Sequence, residues 1–501
     1  MVFTAPLPAP REETRTAQAA EPRNRLAGPW LWLLPFALTA GLTGYGLTDS
    51  LLGRDELVTW DMVNRSTGQI LATLQNVDAV HGTYYLLMHA WVRLFGDSVV
   101  SMRLPSLFAM AGAASAVTLI GNRLFGSRAG IAAGILFSLL PAVSRYGQEA
   151  RSYACVVLAV TLATLLLLRA LDKPRSPWRW ASYALALTGV GLLHLIALSV
   201  VCAHFLLLGA RARHDRSLWW RAAVALLPVA ACVAPVVLLG RSQVQRQLYW
   251  VPEPDGWALI SIWQDVFASA LGAGALIALA VLARSPRKAP LLGCAVWALL
   301  PSVLVWLSSH GSVSYFRNVY LLFTLPAWAL LGGAGLAAAC RSWKAATALL
   351  VALAVLTLSD QKRMRQPFEH DAPVPLDYAA AADVIRNFHA PGDAVVYDRD
   401  NTWKLDGGVQ YYLPRDLKMR DVFLTRTPRA INQLYALECP APAQCLKGEQ
   451  RIWLLTQGND QDPLTAINQG QASALRAHYA TTWSQPVTGM TVTLLVRDGK
   501  R

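Results

Sequence analysis

The sequence predicts an all-α membrane protein with many spans, followed by a small α/β domain. Hydrophobic residues make up 54% of the 501 residues and charged residues only 15%, whereas soluble domains carry about 25% charge. Uncharged apolar runs recur from Pro29 to about Ser359, and the composition becomes polar from Asp360 onward. We therefore divide the chain into a disordered cytoplasmic tail (1–28), a transmembrane domain (29–359) and an α/β domain (360–501).

The apolar runs set the number of spans, because crossing a bilayer core takes about 20 residues. They predict roughly eleven spans, near residues 29–48, 104–121, 129–145, 153–169, 178–193, 195–210, 221–240, 265–283, 289–308, 319–338 and 344–359. The stretch 178–210 is short for two helices, but a single helix there would place every later basic loop outside. The alternation of basic loops favours a hairpin that turns near His194.

The basic residues behind the net charge of +14 indicate the orientation. They lie in the tail and in the loops at 123–128, 173–179, 211–216, 284–288 and 341–344. Cytoplasmic loops are enriched in Lys and Arg, so the N-terminus is expected in the cytoplasm and the C-terminal domain outside. This distribution favours a multi-pass membrane protein over a nucleic-acid-binding protein. We expect the membrane to be a plasma membrane of bacterial type.

The first outer loop, 51–103, is too polar to span but rich in Trp, Tyr, Leu and Met. His89, Arg93 and Asp97 recur every four residues and so share one helical face. The spacing predicts an amphipathic helix on the outer surface. The alternative is a true span, which would invert the sidedness of everything downstream.

The C-terminal domain contains both helical and strand patterns. Residues 377–389 predict a helix, and the segments at 394–398, 451–456 and 492–498 predict strands, with a helical pattern between the last two. Cys439 and Cys445 lie in a polar region that is expected outside the cytoplasm, where disulfides form. We therefore predict a disulfide between them, and inert roles for the five cysteines in or beside apolar runs.

Two adjacent acids, Asp55 and Glu56, follow the first predicted span. Carboxylates are costly near hydrocarbon and need a reason to be there. One reason is general base catalysis, in which a carboxylate takes the proton of an attacking hydroxyl. The alternative is a solvated pair at the N-terminus of the next helix, where acids are favoured.

Two later outer loops hold further polar side chains. The turn between the third and fourth predicted spans contains Tyr146, Gln148, Glu149 and Arg151, which also fit an ordinary interfacial belt. The loop at 310–317 ends in Arg317, whose planar guanidinium suits a lipid phosphate. A snorkelling anchor is the alternative for that residue.

In order, these motifs resemble a known family. They are Asp55-Glu56, His81-Gly82-Thr83-Tyr84-Tyr85, LFGDSVVSMRLPS (94–106), RLFGSRAG (123–130) and YGQEARSYA (146–154). The sequence resembles the GT-C membrane glycosyltransferases, within glycosyltransferase family 39 or the dolichyl-phosphate-mannose-protein mannosyltransferase-like group, to which lipid A aminoarabinose transferases are related. The likeness is strong over 50–170, moderate to 340 and weak beyond.

The resemblance implies an inverting transfer of a single sugar, mannose by family default, from a polyprenyl-phosphate donor. The acceptor would be a hydroxyl of a glycan, glycolipid or protein at the outer face of the bilayer. It maps the catalytic base onto Asp55, with Glu56 beside it, and substrate contacts onto Glu149 and Arg151.

The family's late Arg-Tyr-like element maps onto Tyr315 and Arg317. The family's His-Pro-Pro-Leu stands here as His81-Gly82-Thr83-Tyr84, which leaves the role of His81 open because the stiffening prolines are missing. No cofactor is expected and no Cys/His metal spacing is present, although a divalent metal stays open.

A transporter or lipid-linked sugar flippase is the rival class. Transporters place ionisable residues near the middle of the bilayer, often in broken helices. Here only His194 and His204 interrupt the apolar runs in that way. A membrane-anchored glycan-binding protein is a third class, but it does not explain so many spans.

Overall fold

A computed structural model describes residues 29–368 and 374–499; the predicted tail, 1–28, lies outside the described residues. Residues 29–368 are almost entirely helical. The α-helices are α1 (Leu33–Gly44), α2 (Arg54–Val63), α3 (Thr67–Leu74), α4 (Gly82–Phe95), α5 (Val99–Phe125), α6 (Ser127–Leu139), α7 (Pro141–Gly147), α8 (Tyr153–Asp172), α9 (Pro177–Leu193), α10 (Val200–Ala212), α11 (Ser217–Leu248), α12 (Ala258–Phe267), α13 (Ala270–Val281), α14 (Lys288–Ser308), α15 (Leu325–Ala339), α16 (Trp343–Leu356) and α17 (Leu358–Arg363). The 3-10 helices are Pro29–Trp32, Ala79–His81, Leu195–Ser199 and Asn318–Thr324.

The polytopic class is confirmed, but the count of roughly eleven spans is not. Within the described residues, six helices are long and apolar enough to cross a bilayer, or eight if each of two bent pairs forms one span. The pairs are α6 with α7, bent by 62°, and α12 with α13, bent by 106°. The first bend falls at Leu140, because a residue before a proline, here Pro141, disfavours helical geometry. The apolar helices α1 and α16 have only 12 and 14 residues.

The chain breaks at His194, where the hairpin was predicted. Helix α9 ends at Leu193, and His194 has extended backbone angles, φ −164° and ψ 110°. The Oη atom of Tyr183, eleven residues before the break, hydrogen-bonds Nδ1 of His204, ten residues after it, at 3.1 Å. This pairing means that the two segments run antiparallel. The other ring nitrogen of His204 contacts Oγ1 of Thr164 at 3.0 Å, so this histidine has a complete set of structural partners.

The first outer loop folds into α2, α3 and α4. Helix α4 is the predicted amphipathic helix, and none of the three is a candidate span. One detail of the prediction is wrong: Asp97 lies beyond the end of α4. Its carboxylate instead accepts a hydrogen bond from Nε1 of Trp60 at 2.9 Å and pairs with Arg415 of the C-terminal domain.

Close helix packing in the membrane domain depends on small residues. A Cβ atom at Gly130 of α6 would lie 2.5 Å from the backbone nitrogen of Asn122 in α5. At Gly335 of α15 it would lie 1.7 Å from the carbonyl oxygen of Leu279 in α13. Small residues at such crossings let helix backbones approach, as is common in membrane helices.

The C-terminal domain is α/β, as predicted. Its elements are α18 (Tyr378–Phe388), β1 (Ala394–Tyr397), α19 (Leu405–Tyr412), β2 (Arg420–Asp421), β3 (Leu424–Arg426), β4 (Leu437–Glu438), α20 (Pro442–Cys445), β5 (Arg451–Gln457), α21 (Gln469–His478), β6 (Tyr479–Val487) and β7 (Met490–Arg497). The main sheet has the order β2-β1-β5-β7-β6, with β1 parallel to β2 and β5, and β7 antiparallel to β5 and β6. Cys439 and Cys445 are joined in a disulfide.

This domain packs directly onto the first outer loop. Asp61 of α2 is surrounded by three cations: Arg65 at 2.7 Å, Arg429 at 3.2 Å and Lys404 at 3.5 Å. Burial would raise the pKa of Asp61, but the cations, Lys404 first, bring it below its ordinary value. Because Lys404 and Arg429 belong to the C-terminal domain, this carboxylate ties the two domains together.

Candidate active site

The two adjacent acids of the first outer loop have opposite environments. Both lie in the first turn of α2, which begins after Gly53. The Asp55 side chain is 44% exposed, whereas that of Glu56 is only 4% exposed. Successive residues of a helix point about 100° apart, so one acid faces the solvent and the other the protein interior.

Glu56 is the centre of a buried ion pair. Its carboxylate accepts from Nε and Nη2 of Arg103 at 2.9 and 2.8 Å, and from the backbone N–H groups of Gly53 and Ala150 at 3.0 and 2.9 Å. Burial would raise the pKa of Glu56, but Arg103 and these hydrogen bonds hold it below its ordinary value. All four of these donors belong to the protein, which favours a structural role for Glu56; its place among the catalytic residues stays a prediction.

Arg103 extends this ion pair to the segment after α1. Its Nη1 donates to the carbonyls of Leu47 and Ser50 at 2.9 and 3.0 Å, and its Nη2 donates to the carbonyl of Leu51 at 3.0 Å. Together, Glu56 and Arg103 join α2 to three other parts of the chain: the segment after α1, helix α5, which carries Arg103, and the turn at Ala150. Arg103 lies within the motif at 94–106, where no role was predicted for it; a lone Arg beside an apolar run was the available signal.

Asp55 faces the buried guanidinium of Arg151. The Oδ2 atom of Asp55 lies 3.8 Å from Nε of Arg151, which sits in the turn between α7 and α8. Arg151 also donates from Nη1 to Oη of Tyr85 at 3.2 Å and from Nη2 to Nε2 of His81 at 3.3 Å. We call Asp55, His81, Tyr85 and Arg151 the Arg151 cluster. It joins the first and second outer loops at one end of the helical bundle.

The hydrogen bond from Arg151 defines the state of His81. A guanidinium can only donate, so Nε2 of His81 accepts and the proton resides on Nδ1. Burial, followed by the charges of Arg151 and His194, places the pKa of His81 well below its usual range, so the ring is neutral. Within the described residues Nδ1 is buried without a hydrogen-bond partner. A buried donor without a partner is costly, which favours a ligand or water beside it.

The first outer loop holds Tyr85 in place through residues that the sequence did not single out. Tyr85 donates to Oδ2 of Asp78 at 2.6 Å, and Oδ1 of Asp78 accepts from Gln247 of α11 at 3.0 Å. Gln243, one turn earlier, bonds the backbone of Leu74 and Ala79 at 2.8 and 3.0 Å. Two polar residues four apart at the end of an apolar helix were the signal that could have revealed this support.

The other predicted residues of the turn between α7 and α8, which is the second outer loop, either hold neighbouring segments in place or carry charge. Gln148 donates to the carbonyls of Thr43 and Tyr45, both at 2.8 Å, and so serves to fix the end of α1. The Oη atom of Tyr146 lies 3.4 Å from the amide of Asn318. Glu149 lies 3.4 Å from Arg145; burial, opposed by Arg145, raises its pKa to about 7.

The loop at 310–317 lies at the same end of the helical bundle as the Arg151 cluster. The Arg317 guanidinium lies over the ring of Trp250, 4.9 Å from its centroid, and Tyr315 donates its backbone N–H to Oγ of Ser309 at 2.9 Å. No direct contact between Arg317 and the Arg151 cluster occurs among the described residues. Tyr320 donates its backbone N–H to the carbonyl oxygen of Arg317 at 3.1 Å, and its ring centroid lies 5.1 Å from that of His194.

The site offers cations and carboxylates rather than a metal-binding set. Across 29–368 and 374–499, no three His, Cys, Asp or Glu side chains gather as they would to hold a metal ion. Arg151 and Arg317 are two cationic groups suited to an anionic ligand. An accessible carboxylate beside a buried guanidinium can accept a proton at one atom and stabilise negative charge at a neighbouring one.

Part of the chain matches a known family, and its fold matches solved structures. A family model described as dolichyl-phosphate-mannose-protein mannosyltransferase matches residues 83–238. The crystal structure of ArnT from Cupriavidus metallidurans bound to undecaprenyl phosphate has a TM-score of 0.62 at 14% identity, and covers 93% of this chain and 98% of that chain. The match to that family spans residues 83–238, and the likeness to ArnT shows a membrane fold of the GT-C type.

Other GT-C structures share the fold more distantly. The oligosaccharyltransferase of Archaeoglobus fulgidus in its apo form has a TM-score of 0.50 at 10% identity, with 94% of this chain and 75% of that chain covered. The mycobacterial arabinofuranosyltransferase AftD also has a TM-score of 0.50, at 17% identity, with 93% and 41% covered. No curated protein sequence matches this chain. The family match includes Arg103 and Arg151, whereas Asp55 and Arg317 lie outside it.

Proposed function

We propose that this GT-C protein is an inverting glycosyltransferase that moves a single sugar from a polyprenyl-phosphate donor to a hydroxyl acceptor. The observation that carries the proposal is the opposition of an accessible carboxylate, Asp55, to a buried guanidinium, Arg151. The undecaprenyl phosphate in the ArnT structure supports a lipid-linked donor. The family description supports mannose as the first sugar to test.

The reaction is a single displacement at the anomeric carbon. The acceptor oxygen forms a bond to C1 as the bond from C1 to the phosphate oxygen breaks, and the acceptor proton passes to the Asp55 carboxylate. The electron pair leaves with the polyprenyl phosphate, whose growing charge Arg151 and Arg317 stabilise. A hydroxyl is a weak nucleophile at neutral pH, so a positioned base contributes on the order of 10²–10⁴ in rate.

The remaining polar residues position these groups. Glu56 and Arg103 hold α2, so that Asp55 faces the Arg151 turn. His81 and Tyr85 orient the Arg151 guanidinium through its two terminal nitrogens. The basic loops at the opposite end favour an outer-face site, with the C-terminal domain outside the cytoplasm beside the acceptor. Glycan, glycolipid and protein hydroxyls are the acceptor classes that we propose.

A donor screen with purified protein tests the proposal. Polyprenyl-phosphate sugars, with mannose first, are supplied with membrane-extracted acceptors, and donor binding and turnover are measured separately. We expect Asp55→Asn to lose on the order of 10²–10⁴ in turnover while donor binding is retained. Asp49→Asn, an exposed acid of the same segment, is the matched control and should behave as wild type.

A second variant tests the phosphate contact. Arg317→Ala should raise the Michaelis constant for the lipid donor on the order of tenfold or more, because charge-assisted hydrogen bonds to phosphate contribute most to such binding. Arg246→Ala removes an exposed Arg in the last turn of α11. It should leave the Michaelis constant for the lipid donor unchanged. Near-normal turnover of well-folded Asp55→Asn would remove the assignment of the base, and an unchanged donor dependence of Arg317→Ala would leave that residue as an interfacial anchor.

A further inference from the structure

A polar cavity lies in the membrane domain, away from the Arg151 cluster. It has a volume of about 360 Å³ and opens between the ends of α5, α8 and α9. The residues that line it are Arg123, Leu166, Arg169, Asp172, Arg179 and Ser182. None of them has a role in the proposed transfer reaction.

Helix α8 sets the position of this cavity. It begins at Tyr153, two residues after Arg151, and ends at Asp172 in the cavity wall. A helix of 20 residues is about 30 Å long, which is also about the thickness of a bilayer core. The cavity therefore lies one membrane thickness from the candidate active site, on the opposite face.

The cavity carries a net positive charge. Three guanidinium groups line it against a single carboxylate, Asp172, which pairs with Arg123. Arg123 lies within electrostatic range of Arg169, Arg179 and a fourth guanidinium, that of Arg211. Like charges gathered this closely repel one another, so a bound anion would lower the electrostatic repulsion among the guanidinium groups.

The arginines retain capacity for a ligand. Each guanidinium has five N–H donors. The described contacts of Arg179 use one terminal nitrogen, which donates to the carbonyl oxygen of Arg169. Planar guanidinium groups bind phosphate oxygens in pairs, and a cavity with several of them suits a phosphate better than a carboxylate.

Exposed tryptophans mark the depth of the cavity. Trp178 and Trp220 are 80% and 73% exposed, and both lie beside the cavity helices, at the start of α9 and α11. Trp219 is 45% exposed next to them. Exposed Trp residues are enriched at the level of lipid headgroups, so the guanidinium groups sit where lipid phosphates lie.

We propose that this cavity is a phosphate-binding site, filled at this depth by the headgroup of an anionic phospholipid. Basic pockets between membrane helices hold such headgroups elsewhere. A free inorganic phosphate has the same chemistry and is the other source. The site would anchor the α5–α8–α9 end of the bundle in the leaflet opposite to the reaction.

Native mass spectrometry of the purified full-length protein tests lipid binding. Delipidated protein is titrated with phosphatidylglycerol and, in parallel, with zwitterionic phosphatidylcholine. We expect retention of phosphatidylglycerol to fall on the order of tenfold or more in the Arg169→Gln/Arg179→Gln double variant. Arg175→Gln removes an exposed Arg from the same loop that does not line the cavity, and should retain the lipid as wild type does.

A second arm separates lipid from free phosphate. Thermal unfolding of delipidated protein is followed in sodium phosphate and in sodium chloride of matched ionic strength. Stabilisation by phosphate that disappears in the double variant identifies inorganic phosphate as a ligand of the same site. Retention of phosphatidylglycerol without that stabilisation identifies the lipid as the source.

The Asp172→Asn variant distinguishes a change in binding from a loss of folding. Removing this carboxylate makes the cavity more positive, so it should strengthen phosphatidylglycerol retention, whereas damage to the structure would weaken it. The proposal is overturned if phosphatidylglycerol and phosphate binding are the same in wild type and the double variant. It is also overturned if Asp172→Asn leaves both unchanged or weaker.

Discussion

The ion pair between Glu56 and Arg103 yields the sharpest prediction about stability. Glu56→Gln keeps the shape of the side chain but leaves the Arg103 guanidinium, whose side chain is 1% exposed, without its counter-charge. Removing one partner of a buried pair typically costs about 3–5 kcal/mol. Three backbone carbonyls still accept from Arg103, so we expect a loss near the lower end, about 3 kcal/mol.

Denaturant or thermal unfolding in one detergent measures this loss. The set is wild type, Glu56→Gln, Arg103→Gln and the double variant. The double variant should be about as stable as either single one, because the two side chains act as a unit. Glu253→Gln, an exposed acid far along the chain, is the control and should change the free energy of unfolding by less than about 0.5 kcal/mol.

The pH dependence of the same variants adds an independent check. The folded-state pKa of Glu56 is below its ordinary value of 4.5. Its contribution to stability is therefore present above pH 4.5 and is lost as the pH falls through the folded-state pKa. Glu56→Gln should lack this acid-dependent loss. A Glu56→Gln protein as stable as Glu253→Gln, or strictly additive single variants, would refute the structural role.

Three further predictions concern other parts of the chain. The pKa of Glu149 is raised from 4.5 to about 7, so its contribution to stability is greatest below pH 4.5 and falls as the pH rises to 7; unfolding measured from pH 5 to 8 should show this slope in wild type and lose it in Glu149→Gln. Gly335→Ala places a Cβ against a backbone carbonyl and should cost about 1–3 kcal/mol in unfolding measurements, whereas Gly274→Ala, with nothing within 4 Å of its Cβ, should cost nothing. A cysteine replacing the exposed Asp400 should react with an impermeant thiol reagent in intact cells, and protection until lysis would reverse the proposed orientation.

The elements of the C-terminal domain show how far local pattern reaches. The helix at 377–389 and the strands at 394–398, 451–456 and 492–498 were predicted, because their apolar residues follow the period of the structure that they form. Strand β6 was missed. It lies at the sheet edge, is mostly exposed and contains Pro486, so neither its burial nor its composition resembles a buried strand.

The sequence by itself determined the class of protein, because the content of apolar runs and charges depends on composition alone. It also pointed to the outer loops as the place of the chemistry, through acids and arginines at the ends of apolar runs. It did not show which of Asp55 and Glu56 is exposed and which is buried, because the two are adjacent and similar in type. That distinction depends on which face of α2 meets Arg103, 47 residues away, and on where the turn at Arg151 packs. Only the tertiary structure decides it, because burial and ion pairing arise between segments that are distant in the chain.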